Sequence, residues 1–127
     1  MQPITIMESD VDFMHELSMA KNIIDKAQKV LKEHNAQKAL AIYVKIGELS
    51  SVEKESLEFC YGVLIKGMQE FKECQLIIEQ VKWVVRCNEC ESIYNPNEHL
   101  LRCPQCQSQD YILVSGNELD FVGMEVE

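Results

Sequence analysis

The sequence lacks long apolar runs, although 46% of its residues are apolar. The longest of these runs are far shorter than the roughly 20 residues that a membrane-spanning helix needs, so we expect no membrane span. No positively charged stretch precedes an apolar one at the start, so we expect no secretory signal. A chain of 127 residues can hold one modest core and one small additional module.

Basic residues are scarce as well: 12 Lys and Arg stand against 21 Asp and Glu, which gives a net charge of −9. Between positions 86 and 112, only Arg86 and Arg102 are basic, against four carboxylates. A nucleic-acid-binding module needs a basic face to meet the phosphate backbone. We therefore disfavour a nucleic-acid partner and favour cationic ligands or a basic protein partner.

Four of the six cysteines form two matched pairs, Cys87-Asn-Glu-Cys90 and Cys103-Pro-Gln-Cys106, with twelve residues between the pairs. Each pair is expected to form a tight knuckle, and together the four thiolates complete a tetrahedron around one metal ion. Zinc suits this set best, and iron is its main competitor. A thioredoxin-like redox role is disfavoured, because each pair lies among polar loop residues with its twin close by.

A site closed by four thiolates leaves no open position for a substrate, so the metal is expected to be structural. The sequence also contains no phosphate-binding loop and no nucleophile with a nearby base, so an enzyme is not predicted. His99 lies four residues before Cys103, but we expect it beside the metal site or on the surface because the ligand set is complete. The remaining thiols, Cys60 and Cys74, are expected to be reduced, which favours a cytoplasmic location.

Hydrophobic periodicity predicts a first helix of about five turns that ends near His34-Asn35. The residues that recur at intervals of three and four along one face are Leu17, Ala20, Ile24, Ala27 and Leu31. Residues 1–13 show no such period and are predicted to be a flexible extension. Ser50 and Glu53 predict a capping box before a second helix, whose apolar side includes Cys60 as a small core residue and extends to Met68.

Three longer strands are predicted, at Leu40–Ile46, at Leu76–Val85 and near the C-terminus over residues 119–126, with the last one beside the second. A short strand, Tyr111–Val114, follows the second cysteine pair. The predicted fold class is α+β, with two helices on a small three-stranded mixed sheet and an inserted zinc-ribbon module. The corresponding domains are residues 14–85 with 116–127 for the α/β part and residues 86–115 for the ribbon.

His15 is the residue that a purely structural interpretation explains least. It can be a solvated histidine beside Glu16, since a carboxylate suits the first turn of a helix. Alternatively, its imidazole can anchor a transition metal such as Ni²⁺, together with neighbouring backbone nitrogens in a flat four-coordinate arrangement. Those nitrogens must lose protons, so such binding weakens steeply as the pH falls.

Three pieces occur in an order that resembles the hydrogenase nickel-incorporation proteins of the HypA/HybF type. They are Met14-His15-Glu16 at the opening of a helix, the turn Ile46-Gly47-Glu48-Leu49-Ser50, and the two Cys-x-x-Cys knuckles. The resemblance covers Met14 to Glu127. It implies a nickel metallochaperone with a nickel-binding α/β domain and a zinc-ribbon domain. Such proteins deliver Ni²⁺ to the large subunit of nickel–iron hydrogenase together with a GTPase, and in some organisms also serve urease.

Carried over by position, the resemblance makes His15 and Glu16 the nickel residues, and Cys87, Cys90, Cys103 and Cys106 the zinc ligands. Ni²⁺ is then the transferred cargo and Zn²⁺ the structural ion. In some family members a carboxylate at the start of the second helix has been linked to nickel. The matching residue is Glu53, which the predicted capping box also explains.

One departure from the family pattern concerns Met14. In the family the methionine of Met-His-Glu is normally the first residue, and its amine can bind nickel. Here Met14 is internal, and a peptide nitrogen deprotonates far less readily than an amine. We therefore expect the longer chain to bind nickel more weakly than a chain that begins at Met14. The alternative function is a zinc-ribbon interaction adaptor with no second metal; either a monomer or a dimer is compatible with the sequence.

Overall fold

The computed structural model describes residues 8–127 of the chain, with side chains from His15 onward. The helices are α1 (Glu8–Glu33) and α2 (Lys54–Leu64). The strands are β1 (Ala39–Gly47), β2 (Gln75–Val81), β3 (Val84–Cys87), β4 (Ile93–Tyr94), β5 (Tyr111–Ser115) and β6 (Leu119–Val126). Two short 3-10 helices lie at Gln69–Phe71 and Pro96–Glu98. No helix of the described residues is both long enough and apolar enough to cross a bilayer.

The first sheet has the strand order β2-β1-β6. Lys38, just before β1, forms an ion pair with Glu73 at 3.1 Å, and the N–H of Glu48, just after β1, donates to the carbonyl of Val81 at 2.8 Å. The two strands therefore run in the same direction, so β1 and β2 are parallel. Parallel neighbours need a crossover, and α2 lies within the one that joins them.

The third strand, β6, runs antiparallel to β1. The N–H of Glu127 donates to the carbonyl of Lys38 at 2.8 Å, while the N–H of Gly47 donates to that of Glu118 at 2.7 Å. The sheet is therefore mixed, and the predicted α+β fold class is confirmed. The prediction that the last strand lies beside the second is wrong, because β1 occupies the centre and β6 pairs with it.

The second sheet has the order β4-β3-β5, and both pairings are antiparallel. Val85 faces Tyr94 of β4, and Cys87 faces Tyr111 of β5. The prediction of a single strand over Leu76–Val85 is therefore wrong. The strand is interrupted at residues 82–83, and the segments on either side, β2 and β3, belong to different sheets. Periodicity alone carries no sign of this break, since apolar residues continue through it.

The described residues divide into two compact units. The helical unit comprises the described residues up to Val44, with Ser51–Ile78 and Phe121–Glu127. The cysteine unit comprises Lys45–Ser50 and Glu79–Asp120. It takes in more chain than the predicted ribbon of residues 86–115, because it includes the turn after β1 and the chain on both sides of the ribbon.

The core of the helical unit is built on the apolar stripe of α1, which packs against α2. Its fully buried members include Ala20, Ala27, Ile42, Leu57 and Phe71. Cys60 is 1% exposed, so its predicted place in the core is confirmed. Burial of this much apolar surface supplies the main stabilisation of the unit.

Two helix boundaries differ from the prediction. Helix α1 begins at Glu8, so residues 8–13 of the predicted extension are helical, while residues 1–7 lie outside the described residues. Helix α2 ends at Leu64, before Met68. Helix ends depend on local hydrogen bonds that an apolar period does not report.

Candidate metal centres

The two Cys-x-x-Cys pairs adopt the same turn. In each pair the N–H two residues after the first cysteine donates to its sulfur: Glu89 N to Cys87 Sγ and Gln105 N to Cys103 Sγ, both at 3.4 Å. The residue after each second cysteine has a left-handed backbone, with φ 65° at Glu91 and 68° at Gln107. This equivalence marks two knuckles of one kind, as zinc ribbons require.

A serine closes each knuckle. The N–H of Cys87 donates to the carbonyl of Ser92 at 2.8 Å, and the N–H of Cys103 donates to that of Ser108 at 2.9 Å. We did not single out these serines from the sequence. The signal was present, because both pairs continue as Cys-x-x-Cys-x-Ser.

The four sulfurs lie together, all within 4.8 Å of one another. The Sγ atoms of Cys87 and Cys106 are 3.5 Å apart, and those of Cys90 and Cys103 are 3.4 Å apart. A tetrahedron with Zn–S bonds of about 2.3 Å has edges of about 3.8 Å, so the cluster fits a four-thiolate zinc ion. The predicted zinc residues are thus brought into one suitable ligand set, and zinc there would stabilise the cysteine unit.

The thiols of Cys90 and Cys106 differ in acidity because their surroundings shift the two pKa values in opposite directions. The hydroxyl and N–H of Ser92 and the sulfur of Cys103 lower the pKa of Cys90 to about 6. At Cys106 the N–H of Ser108 acts in the same direction, but partial desolvation and the hydrogen bonds to the neighbouring thiols outweigh it and raise the pKa to about 12. Four thiolates this close repel one another, so a cation is needed to hold all of them deprotonated.

A small aromatic core supports the cluster. Val85 and Tyr94 are buried with Cys87 and Cys103, and Trp83 and Tyr111 pack against them. The ring of His99 contacts Tyr94 edge-on, with the ring centres 6.2 Å apart, and His99 is not a member of the cysteine cluster. This placement agrees with the expectation that His99 is a neighbour of the site and not a ligand.

The second candidate centre surrounds His15, which is exposed on α1. Its neighbour Glu16 is 0% exposed, and Oε1 of Glu16 accepts a hydrogen bond from the N–H of Glu53 at 2.8 Å. The other carboxyl oxygen, Oε2, is buried and has no partner among the described residues. Glu16 therefore binds the start of α2 and places it beside the turn of α1 that carries His15.

The predicted capping box is wrong. The hydroxyl of Ser50 donates to the carbonyl of Gly47 at 2.8 Å, and the residue that caps α2 is Glu53, whose side chain makes no capping bond. Glu16 satisfies the N–H of Glu53 instead. The side chain of Glu53 is exposed and accepts only a long hydrogen bond, 3.4 Å, from the hydroxyl of Ser56. The capping role that the sequence predicted for Glu53 is therefore carried out by Glu16, which accepts a hydrogen bond from the backbone N–H at the start of α2.

In the described part of the chain, the cysteine cluster is the one group of three or more histidine, cysteine or carboxylate residues positioned to hold an ion. His15, Glu16 and Glu53 do not form such a group. The peptide nitrogens of Met14 and His15 also lie inside α1, where each N–H bonds to the carbonyl four residues earlier. A metal bound through these nitrogens therefore requires the helix to open at this point.

A family model described as hydrogenase/urease nickel incorporation, metallochaperone, hypA, matches residues 14–126. The chain belongs to the HypA family. The resemblance inferred from the Met-His-Glu, turn and knuckle motifs is thereby confirmed. Membership agrees with a four-cysteine cluster suitable for structural zinc.

Curated relatives and solved structures agree with this assignment. The hydrogenase maturation factor HypA of Methanocella arvoryzae is 40% identical over 74 residues, which cover 58% of this chain and 65% of the relative. That of Pectobacterium atrosepticum is 32% identical over 77 residues, again with 58% and 65% covered. The chain thus spans about two thirds of the length of these relatives.

Two solution structures have the same fold as this chain. One, of a HypA protein, has a TM-score of 0.67 at 26% identity and covers 90% of this chain and 97% of its own. The other is the Ni metallochaperone HypA from Helicobacter pylori, with a TM-score of 0.60 at 25% identity and coverages of 87% and 96%. Both helices, the mixed sheet and the cysteine module therefore belong to a fold known in the family.

Proposed function

We propose that this protein is a cytoplasmic nickel metallochaperone that binds Ni²⁺ and delivers it for maturation of nickel–iron hydrogenase. The proposal rests chiefly on the match of residues 14–126 to the HypA family. The difference between the two candidate centres supports it. Four thiolates close one centre to cargo, whereas His15 exposes a single imidazole. Cargo must leave quickly, and an ion with few protein ligands is easier to transfer than a caged one.

In this proposal His15 is the anchoring nickel ligand. Glu53 is the better placed carboxylate, because its side chain is exposed at the start of α2. Glu16 is committed through Oε1 to the N–H of Glu53, so it joins the ligand set only through its second oxygen or acts by holding Glu53 in place. The partners that follow are the GTPase of hydrogenase maturation, the hydrogenase large subunit and, in some organisms, urease accessory proteins. The protein itself is not an enzyme.

The test is native mass spectrometry of the zinc-loaded chain titrated with Ni²⁺. We expect one zinc that resists exchange and one nickel that is lost in His15→Ala. His34→Ala is the matched control, because His34 is also exposed and lies just beyond the other end of α1. Equal nickel binding by His15→Ala and wild type would refute the assignment. Glu16→Gln and Glu53→Gln in the same titration identify which carboxylate contributes.

A zinc-ribbon adaptor without a second metal is the competing function. The observation that favours it is that His15, Glu16 and Glu53 do not converge into a ligand group. This function predicts one zinc per chain, no specific nickel and indifference to His15→Ala. Hydrogenase activity in cells that carry His15→Ala separates the two: loss of activity supports the chaperone, and normal activity supports the adaptor.

A further inference from the structure

Three chain segments of the cysteine unit approach one another very closely at the end of β1. A side chain at Gly47 would overlap the carbonyl of Gly116, and a Cβ at Gly116 would lie 2.7 Å from the Cα of Trp83. Gly116 also has φ 122°, a conformation that favours glycine. The end of β1, the turn between β5 and β6 and the residue just before β3 are thus in backbone contact.

Glu48 spans this junction with its side chain. Its Oε2 accepts from the main-chain N–H of Trp83 at 2.8 Å, and its Oε1 accepts from the side-chain amide of Asn97 at 2.8 Å. The Trp83 and Asn97 donors, with a smaller contribution from Asn95, lower the pKa of Glu48 below its ordinary value. Hydrogen bonds to an ionised carboxylate are stronger than those between neutral groups.

Asn97 belongs to the segment between the two knuckles. Asn95 accepts from the N–H of Asn97 at 2.9 Å, Pro96 is fully buried, and the carbonyl of Pro96 accepts from the N–H of Leu101 at 2.8 Å. The same segment is bounded by Cys90 and Cys103, one cysteine from each knuckle. A metal ion that binds both cysteines closes this loop and restricts its conformations.

We propose that Glu48 is a positioning residue that couples zinc binding to the order of the turn Gly47–Ser50. Zinc holds the inter-knuckle segment, the segment presents the Asn97 amide, and Glu48 joins that amide to the turn and to Trp83. Zinc occupancy thereby orders the turn that follows β1, a role beyond the delivery of nickel.

The simpler interpretation is that Glu48 is an exposed carboxylate whose hydrogen bonds have only a local effect. Hydrogen exchange of the full chain distinguishes these interpretations, because all four N–H groups of the turn are bonded. Gly47 donates to Glu118, Glu48 to Val81, Leu49 to Gly116 and Ser50 to Gly47. Their exchange rates report the order of the turn directly, without reference to nickel.

The experiment measures hydrogen exchange by mass spectrometry in zinc-loaded protein and in reduced protein stripped by a chelator. The variants are Glu48→Ala and Asn97→Ala, with Glu98→Gln as the control. Glu98 is an exposed carboxylate in the same segment whose side chain makes no hydrogen bond to the described residues. Zinc content is measured for each variant, and emission of Trp83, the single tryptophan of the sequence, provides a second readout.

With zinc bound, we expect exchange at residues 47–50 to rise roughly tenfold in Glu48→Ala and in Asn97→Ala, about the effect of one charge-assisted hydrogen bond. Glu98→Gln leaves it unchanged, and all three variants keep one zinc. In stripped protein, wild type and Glu48→Ala exchange at the same fast rate. Unchanged exchange in zinc-loaded Glu48→Ala and Asn97→Ala overturns the proposal, as does an equal effect of Glu48→Ala with and without zinc. If Glu48→Ala fails to fold, Asn97→Ala, an exposed position, decides the question.

Discussion

The two candidate metal centres of this chain are built in opposite ways. The cysteine cluster takes two ligands from each of two identical turns, and half of them, Cys87 and Cys103, are buried. The His15 region offers one exposed imidazole on a regular helix, and the neighbouring carboxyl group of Glu16 is fully buried. The first centre is complete without a partner, whereas the second lacks ligands.

This difference suits the cysteine cluster to a structural ion and the His15 region to an ion that is transferred. Four thiolates fill the coordination shell of zinc, and the folding of the cysteine unit is coupled to the ion. At His15 any further ligand must come from elsewhere, by opening α1, from Glu53 or from another molecule. Incomplete ligation lowers affinity but leaves positions through which a recipient can take the metal.

The largest effect is expected from breaking the complete centre. Cys87→Ser removes a buried thiolate, so we expect loss of bound zinc and of a large part of the roughly 10–16 kcal/mol that structural zinc contributes to folding. The zinc content of the variant measures the loss of the ion, and the amide exchange of residues 79–120 measures the loss of stability. Cys60→Ala is the control: it removes a buried thiol outside the cluster, keeps one zinc and costs about 1 kcal/mol. Retention of zinc by Cys87→Ser would contradict the four-thiolate assignment.

The second largest effect is expected when the His15 site gains a further nickel ligand. A chain that begins at Met14 has a free amine in place of a helical peptide nitrogen, and an amine loses its proton far more readily. We expect its nickel affinity to exceed that of the 127-residue chain by roughly tenfold or more at one pH. Isothermal titration of both forms measures the difference. Equal affinities would show that the residues before Met14 do not hinder the site.

A smaller effect is expected from Glu16, which ties the two helices together. Glu16→Ala leaves the N–H of Glu53 without its acceptor, so we expect the free energy of unfolding to fall by about 1–3 kcal/mol. Glu16→Gln keeps one acceptor oxygen and should cost less. Urea denaturation followed by circular dichroism gives both values. If Glu16→Ala were as stable as wild type, the bond to Glu53 would not contribute to holding α2 in place.

The smallest effect is expected at His99. Its ring contacts Tyr94 but is not part of the cysteine cluster, so His99→Ala should keep one zinc and change the rate of zinc release to a chelator by less than about tenfold. A chelator assay on wild type and variant provides the comparison. A loss of zinc equal to that of Cys87→Ser would make His99 a ligand.

The sequence predicted the complete centre better than the incomplete one, for a physical reason. Ligands that come in pairs with two residues between them are close in space whatever the fold, so the spacing of Cys87 to Cys106 indicates the cluster directly. The apolar stripe of α1 and the alternation of β1 are local signals of the same kind. They were enough to predict both helices, the strands β1, β5 and β6, and the fold class.

What the sequence did not reveal depends on contacts between distant residues. The bond from Glu53 to Glu16 joins positions 37 residues apart, and a glutamate is seldom buried, so the sequence carries no sign of this bond. The bonds of Glu48 to Trp83 and Asn97 are non-local in the same way. The position of β6 next to β1 and the interruption between β2 and β3 likewise depend on strand pairing, which hydrophobic periodicity does not identify.

The pairing of one buried with one exposed cysteine in each knuckle has a kinetic consequence. The exposed sulfurs are Cys90 and Cys106, one from each knuckle. A chelator that competes for zinc would meet these two sulfurs first, while Cys87 and Cys103 would still hold the ion from the buried side. Each knuckle would therefore keep one sulfur that a chelator cannot reach directly. The burial of one cysteine in each knuckle would thus slow the loss of zinc, in addition to the effect of having four ligands.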